Sequence, residues 1–154
     1  MSPPRYSLLS SLGKGGMGEV WLADDAQLGR KVTIKFMVET LEHDATARER
    51  LQREARSAAA LDHPYVYKIY ETAEVDGRTG IVMEHVDGET LQALLARGPF
   101  PPRRALEIAE GLDAAHTRRL VHRDLKPANV MLTDGHVKVM DFGLAKIAAG
   151  AAIT

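Results

Sequence analysis

His122-Arg123-Asp124-Leu125-Lys126-Pro127-Ala128-Asn129, followed a short way on by Asp141-Phe142-Gly143, is the stretch on which the reading of this chain turns. Asp124 is placed as a general base, with a basic residue two positions on and an amide five positions on. The three make a compact polar loop between two apolar segments. The second carboxylate, Asp141, follows a strand-like run and precedes Phe142-Gly143, so it can project from a turn towards a metal ion. Phosphoryl transfer needs this kind of equipment, because its catalysis is mostly positioning and charge neutralisation.

Around that loop the pattern predicts two short strands, 130–132 and 137–139, joined by Asp134-Gly135. Upstream, Pro101-Pro102 opens a helix whose face carries Ala105, Ile108, Ala109, Leu112, Ala115 and His116. A shorter helix is expected over 89–97, closed by Gly98-Pro99. The front of the chain reads differently. Strands are expected at 6–12, 19–23 and 31–36, the last alternating polar and apolar as a half-buried strand should. Residues 44–61 hold good helix formers without Gly or Pro, and His63-Pro64 ends them. Two more strands, 66–71 and 80–84, flank an Asp76-Gly77 turn. A strand-rich front and a helix-led back imply two lobes: a tail at 1–5, a first lobe over 6–86 and a second over 87–154. Their boundary is expected near 86–88.

Two further features bear on chemistry. Gly13-Lys14-Gly15-Gly16-Met17-Gly18-Glu19-Val20 fits G-x-G-x-x-G-x-V, and glycines let backbone N–H groups approach phosphate oxygens closely. A glycine-rich hairpin turn would look much the same. A Rossmann site would need a helix after the glycines, whereas Glu19-Val20-Trp21-Leu22 reads as a strand. Lys35 ends the alternating strand Val32-Thr33-Ile34-Lys35, a place where a lysine usually just faces solvent. On the helix that follows, Leu51, Glu54, Ala58 and Leu61 are spaced 3, 4 and 3, which puts Glu54 within the apolar stripe and turns Glu49 away. A carboxylate on a buried face costs several kcal/mol unless paired. Lys35 is the obvious partner.

The bulk numbers exclude other classes. The 154 residues carry a net charge of −1, which makes no electrostatic case for nucleic acid or an anionic membrane. There are no cysteines, hence no disulfides or thiolate metal sites, as suits a reducing cytosol. The N-terminus lacks a signal-peptide core, and no run approaches the ~18 apolar residues of a membrane span. A cytoplasmic domain is the expectation.

Taken in order, these residues resemble the protein kinase superfamily from Tyr6 onward. The Lys-Pro-x-Asn form of the catalytic loop resembles the Ser/Thr branch. Gly15-Gly16-Met17-Gly18-Glu19-Val20 and His63-Pro64-Tyr65-Val66 are most similar to bacterial eukaryotic-type Ser/Thr kinases. The resemblance implies an α+β, kinase-like fold: an antiparallel sheet with one helix, then the first part of a helical lobe. It implies ATP as cofactor with Mg²⁺, or Mn²⁺ in its place, and protein Ser/Thr hydroxyls as substrates. By position it assigns Leu12, Gly13, Lys14, Gly15, Gly16, Met17, Gly18 and Val20 to the nucleotide cover. Lys35 would contact the α/β-phosphates, oriented by Glu54. The backbones of Glu84 and Val86 would meet the adenine edge, with Met83 beside it as gatekeeper. Asp124 would accept the hydroxyl proton and Lys126 steady the γ-phosphoryl, while Asn129 and Asp141 hold the metal. Arg123 implies activation by phosphorylation.

One departure stands beside these matches. After Gly143 only 144–154 remain, without an Ala-Pro-Glu motif or further helices. The expectation is a kinase piece truncated after Asp141-Phe142-Gly143, weakly active or inactive alone, with the helix after Pro102 left for a partner to cover. An ATP-binding regulatory module, or an inactive truncated product, is the alternative. Thr154 is a candidate activation-loop phosphosite.

Overall fold

The structure, a computed structural model, describes residues 2–15, 18–120, 122 and 125–140. Five strands, β1 (Tyr6–Gly15), β2 (Gly18–Asp25), β3 (Arg30–Phe36), β4 (Ile69–Val75) and β5 (Arg78–Glu84), form one antiparallel sheet. Their order is β1-β2-β3-β5-β4. Between β3 and β4 run α1 (Glu39–Glu42) and α2 (Ala45–Ala59). Asp44 starts α2 where the pattern expects it, its carboxylate accepting from Thr46 N at 2.9 Å and Ala47 N at 3.2 Å. Two of the helix's otherwise orphaned N–H groups are thereby satisfied.

Alternation in β3 sorts the sheet into two faces. Val32, Ile34 and Phe36 are fully buried with Val82, Ala23 and Val75 on one face. On the other, Ile81 and Met83 pack against Leu51 and Ala58 of α2. Each fully buried apolar side chain contributes about 1.5–3 kcal/mol through removal from water, so these two clusters hold the sheet and α2 together.

The second half is built on a three-stranded sheet, β6 (Glu89–Thr90), β7 (Val130–Thr133) and β8 (His136–Val139), in that order. The helix expected at 89–97 forms only as α3 (Leu91–Leu95). Glu89 and Thr90 are taken into the sheet opposite Leu132 and Met131, and Thr90 Oγ1 caps the helix by accepting from Ala93 N at 3.1 Å. Gly88 makes that docking possible, since a Cβ there would lie 2.1 Å from the Leu132 carbonyl oxygen. The strand expected at 66–71 also starts late. Val66 forms an isolated parallel bridge to Val139, Tyr67 N–H donates to Val139 O at 2.9 Å, and β4 begins only at Ile69.

The long helix, α4 (Pro102–Thr117), buries Gly111 and Ala115 and half-buries Ile108 and Leu112. At Gly111 a Cβ would sit 3.1 Å from the Tyr65 carbonyl oxygen, so this glycine sets how close the helix comes. Ala105, Ala109 and His116, expected on the packed face, are exposed, as is Leu106 at 66%. Among the described residues no helix is long and apolar enough to cross a membrane.

Candidate active site

Sheet register decides which expected nucleotide-site residues share a face. Val20 stands opposite Lys35, and Lys35 opposite Ile81. In the next row Leu22 stands opposite Thr33, and Thr33 opposite Met83. Directly opposed residues project to the same side of a sheet. Val20, Lys35 and Met83 therefore line one face, the face that α2 covers further along. Met83 is buried and Lys35 half-buried there.

The glycine-rich segment is the hairpin at the open end of that face. Lys14 pairs with Glu19 and Gly15 with Gly18, while the ladder shifts register between Ser11 and Gly13, leaving Leu12 in a bulge and half exposed. Gly18 has φ +113°, and a Cβ there would fall 2.1 Å from Phe36 O. Only glycine fits, for conformational and steric reasons alike. Nothing lies within 4 Å of where a Cβ of Gly13 would be, so no close contact demands glycine at that position. Gly16 and Met17 lie outside the described residues.

Glu54 is half-buried and Glu49 exposed. The buried stripe of α2 runs through Ala47, Leu51, Ala55 and Ala58, which rotates Glu54 to the edge of the stripe.

Beyond β5 the chain turns at Glu84 and Val86. The Glu84 N–H donates to Lys68 O at 2.9 Å. Its side chain has a role that the sequence did not suggest. The carboxylate accepts from Lys68 N at 2.8 Å and from Lys138 Nζ at 2.8 Å, tying β5 to β8. Lys138 and Glu84 are only 17% and 18% exposed, so this charge-assisted link is stronger than a surface pair. No local pattern announces it, because the partners stand 54 residues apart.

Asp124, Arg123 and Asp141 also lie outside the described residues, but the backbone that frames them is described. Buried His122 donates from Nε2 to the Met140 carbonyl. The Met140 N–H donates to the Asn129 carbonyl at 2.8 Å. The peptide groups next to Asp141 are thus held by the residues that bracket Asp124. Asn129 is buried at 8% at the end of a single 3₁₀ turn (Pro127–Asn129), and Lys126 is exposed just before it. Among the described residues there is no cluster of three or more His, Cys, Asp or Glu for a metal. The expected donors, the Asn129 amide and the Asp141 carboxylate, are both oxygen ligands. That set suits a hard ion such as Mg²⁺ that keeps waters and phosphate oxygens in its shell.

An antiparallel sheet packed on α2, a glycine-rich hairpin at one end of it and the hydrogen bonds that join His122, Asn129 and Met140 make up the described framework of the site. The sequence profile of the protein kinase domain matches residues 6–152, and the chain belongs to the protein kinase family. Its relatives fall on the bacterial Ser/Thr branch. The chain is 46% identical to the probable serine/threonine-protein kinase SCO3848 of Streptomyces coelicolor, over 97% of this chain and 24% of that protein. It is 44% identical to the serine/threonine-protein kinase PknB of Mycolicibacterium smegmatis, over 94% of this chain and 25% of that protein. Among solved structures it resembles the kinase domain of Mycobacterium tuberculosis PknI, with a TM-score of 0.78 and 33% identity, over 97% of this chain and 65% of that one. The chain spans about a quarter of the length of the curated relatives and about two thirds of the solved kinase domain.

Proposed function

We propose that the domain to which this chain belongs transfers the γ-phosphoryl of Mg-ATP to Ser or Thr hydroxyls of proteins. The observation that supports this reading is the pair of hydrogen bonds that ties His122 to the Met140 carbonyl and the Met140 N–H to the Asn129 carbonyl. Bound Mg²⁺ would neutralise phosphate charge. Asn129, a buried amide on a constrained turn, would hold it together with Asp141. Asp124 would take the hydroxyl proton, and Lys126, exposed three residues before Asn129, would steady the moving phosphoryl group. Lys35 would orient the α/β-phosphates from the sheet face it shares with Val20 and Met83. Glu54, half-buried at the edge of the α2 stripe, would hold Lys35 in that orientation.

The test is Asp124-dependent incorporation of labelled phosphate into a generic protein substrate. We expect weak or no transfer by the 154-residue chain alone. A kinase domain extended to the length of its relatives should transfer robustly and lose at least about a thousandfold in Asp124→Asn, the scale on which catalytic groups act. Equal transfer by the extended domain and its Asp124→Asn variant would contradict the assignment.

A further inference from the structure

Arg78, the first residue of β5, has no role assigned above, yet its side chain reaches two elements that matter to the nucleotide site. The guanidinium binds Glu19 at 2.7 Å through Nη1 and Glu42 at 3.3 Å through Nε. Its carbon lies 4.4 Å from the centroid of the Phe36 ring, in cation–π contact with a fully buried side chain. Glu19 directly follows Gly18 at the base of the glycine hairpin, and it also lies 3.7 Å from Lys14 on the other arm. Glu42 ends α1, two residues before the Asp44 cap that starts α2, the helix carrying Glu54.

We propose that Arg78 is a positioning residue that couples the phosphate-covering hairpin to the helix carrying Glu54. The inference rests on the nucleotide-site reading above.

Three observations set it apart from an ordinary surface ion pair. One guanidinium serves two carboxylates on different elements, and a planar fork locked on a ring loses less freedom in doing so than a lysine would. All three charged groups are largely withdrawn from solvent, at 33%, 20% and 14% exposure. A cleft of about 470 Å³ opens between Lys14, Gly18, Met37, Glu39 and Arg78, and the two ion pairs of Arg78 span it from the hairpin to α1. The Arg78 hydrogen bond also holds the Glu19 carboxyl below its usual range, so the anchor is charged at neutral pH. Displacement of the hairpin is therefore felt at α1, and displacement of α2 is felt at the hairpin.

The test is amide hydrogen exchange of the chain, with Mg-ATP titration alongside. In Arg78→Gln, exchange should rise about fivefold or more in peptides covering both 13–20 and 39–54, with β4 and β8 unchanged, and Mg-ATP affinity should fall by a similar factor. Arg78→Lys keeps the charge but cannot fork, so it should recover one of the two segments and not both. Glu42→Gln leaves the Arg78–Glu19 pair in place and is the second variant should Arg78→Gln fail to fold. It should loosen 39–54 and, less strongly, 13–20. Unchanged exchange at 13–20 in both Arg78→Gln and Glu42→Gln would overturn the coupling, as would a uniform rise across the whole sheet. If the wild-type chain binds no Mg-ATP, the nucleotide reading fails, and the exchange arm still decides the coupling.

Discussion

The five-stranded sheet and α4 solve the burial problem in opposite ways. Both faces of the sheet are closed by this chain's own side chains, one by α2 and the other by Tyr6, Ala23, Val75 and their neighbours. Its charges are tied down as well. Asp25, fully buried, meets Arg5 at 3.2 Å and Arg30 at 3.6 Å, and Arg30 in turn stacks 3.9 Å from the Tyr70 ring centroid. The α4 helix buries only the narrow Gly111–Ala115 strip and leaves Ala105, Leu106 and Ala109 in solvent. The difference teaches where stability resides. The sheet is packed on both faces, while the segments around the catalytic loop rest on two smaller clusters, about Val139 and about Val137, supplemented by a few hydrogen bonds and the Glu84–Lys138 link.

Substitutions on the two sides should therefore behave unequally. The largest effect belongs to Phe36→Ala, which empties a fully buried site and should cost about 3–5 kcal/mol in denaturant unfolding. Next comes Glu84→Gln. Loss of the charge leaves Lys138 half-desolvated without its partner and should cost about 1–3 kcal/mol. Its signature is local: protection at 66–68 and 136–139 should fall before that of β1–β3.

Acid should act on the sheet through Asp25. The Arg5 hydrogen bond holds its carboxyl below the ordinary value of 3.8. The unfolded chain therefore binds its proton at higher pH than the folded one. The stabilisation is fully present above that ordinary value and is lost as pH falls through the lower folded value. Thermal melts should show a Tm that declines below about pH 4, and Asp25→Asn should start lower at neutral pH and flatten that decline. The smallest effect is expected at Leu106→Ser, under about 0.5 kcal/mol, with a gain in solubility. A cost above about 2 kcal/mol there would break the contrast between the two regions, because it would make α4 as fully packed as the sheet.

Much of this arrangement is legible in local pattern. The alternation of β3, the turns at Asp76-Gly77 and Asp134-Gly135, and the Asp44 start of α2 are all short-range signals, and the structure follows them. What escaped reading depends on long-range partners. Val66 has the look of a strand residue, yet its partner is Val139, which moves the start of β4 to Ile69. Glu89 and Thr90 suit a helix until β7 supplies a ladder for them. Gly111 is a poor helix former whose purpose is visible only against the Tyr65 carbonyl. Arg78 gave no signal at all, because Glu19 is 59 residues away.

The most direct test of the central claim is Mg-ATP binding to this chain and to its Lys35→Met variant, followed by calorimetric titration and by the shift in Tm. Lys35 shares its face with Val20 and Met83 under the glycine hairpin, so the wild-type chain should show saturable binding and a rise in Tm. Lys35→Met should keep its fold and lose at least about tenfold in affinity, or about 1.4 kcal/mol. Equal binding by the two would place the nucleotide elsewhere and contradict the account.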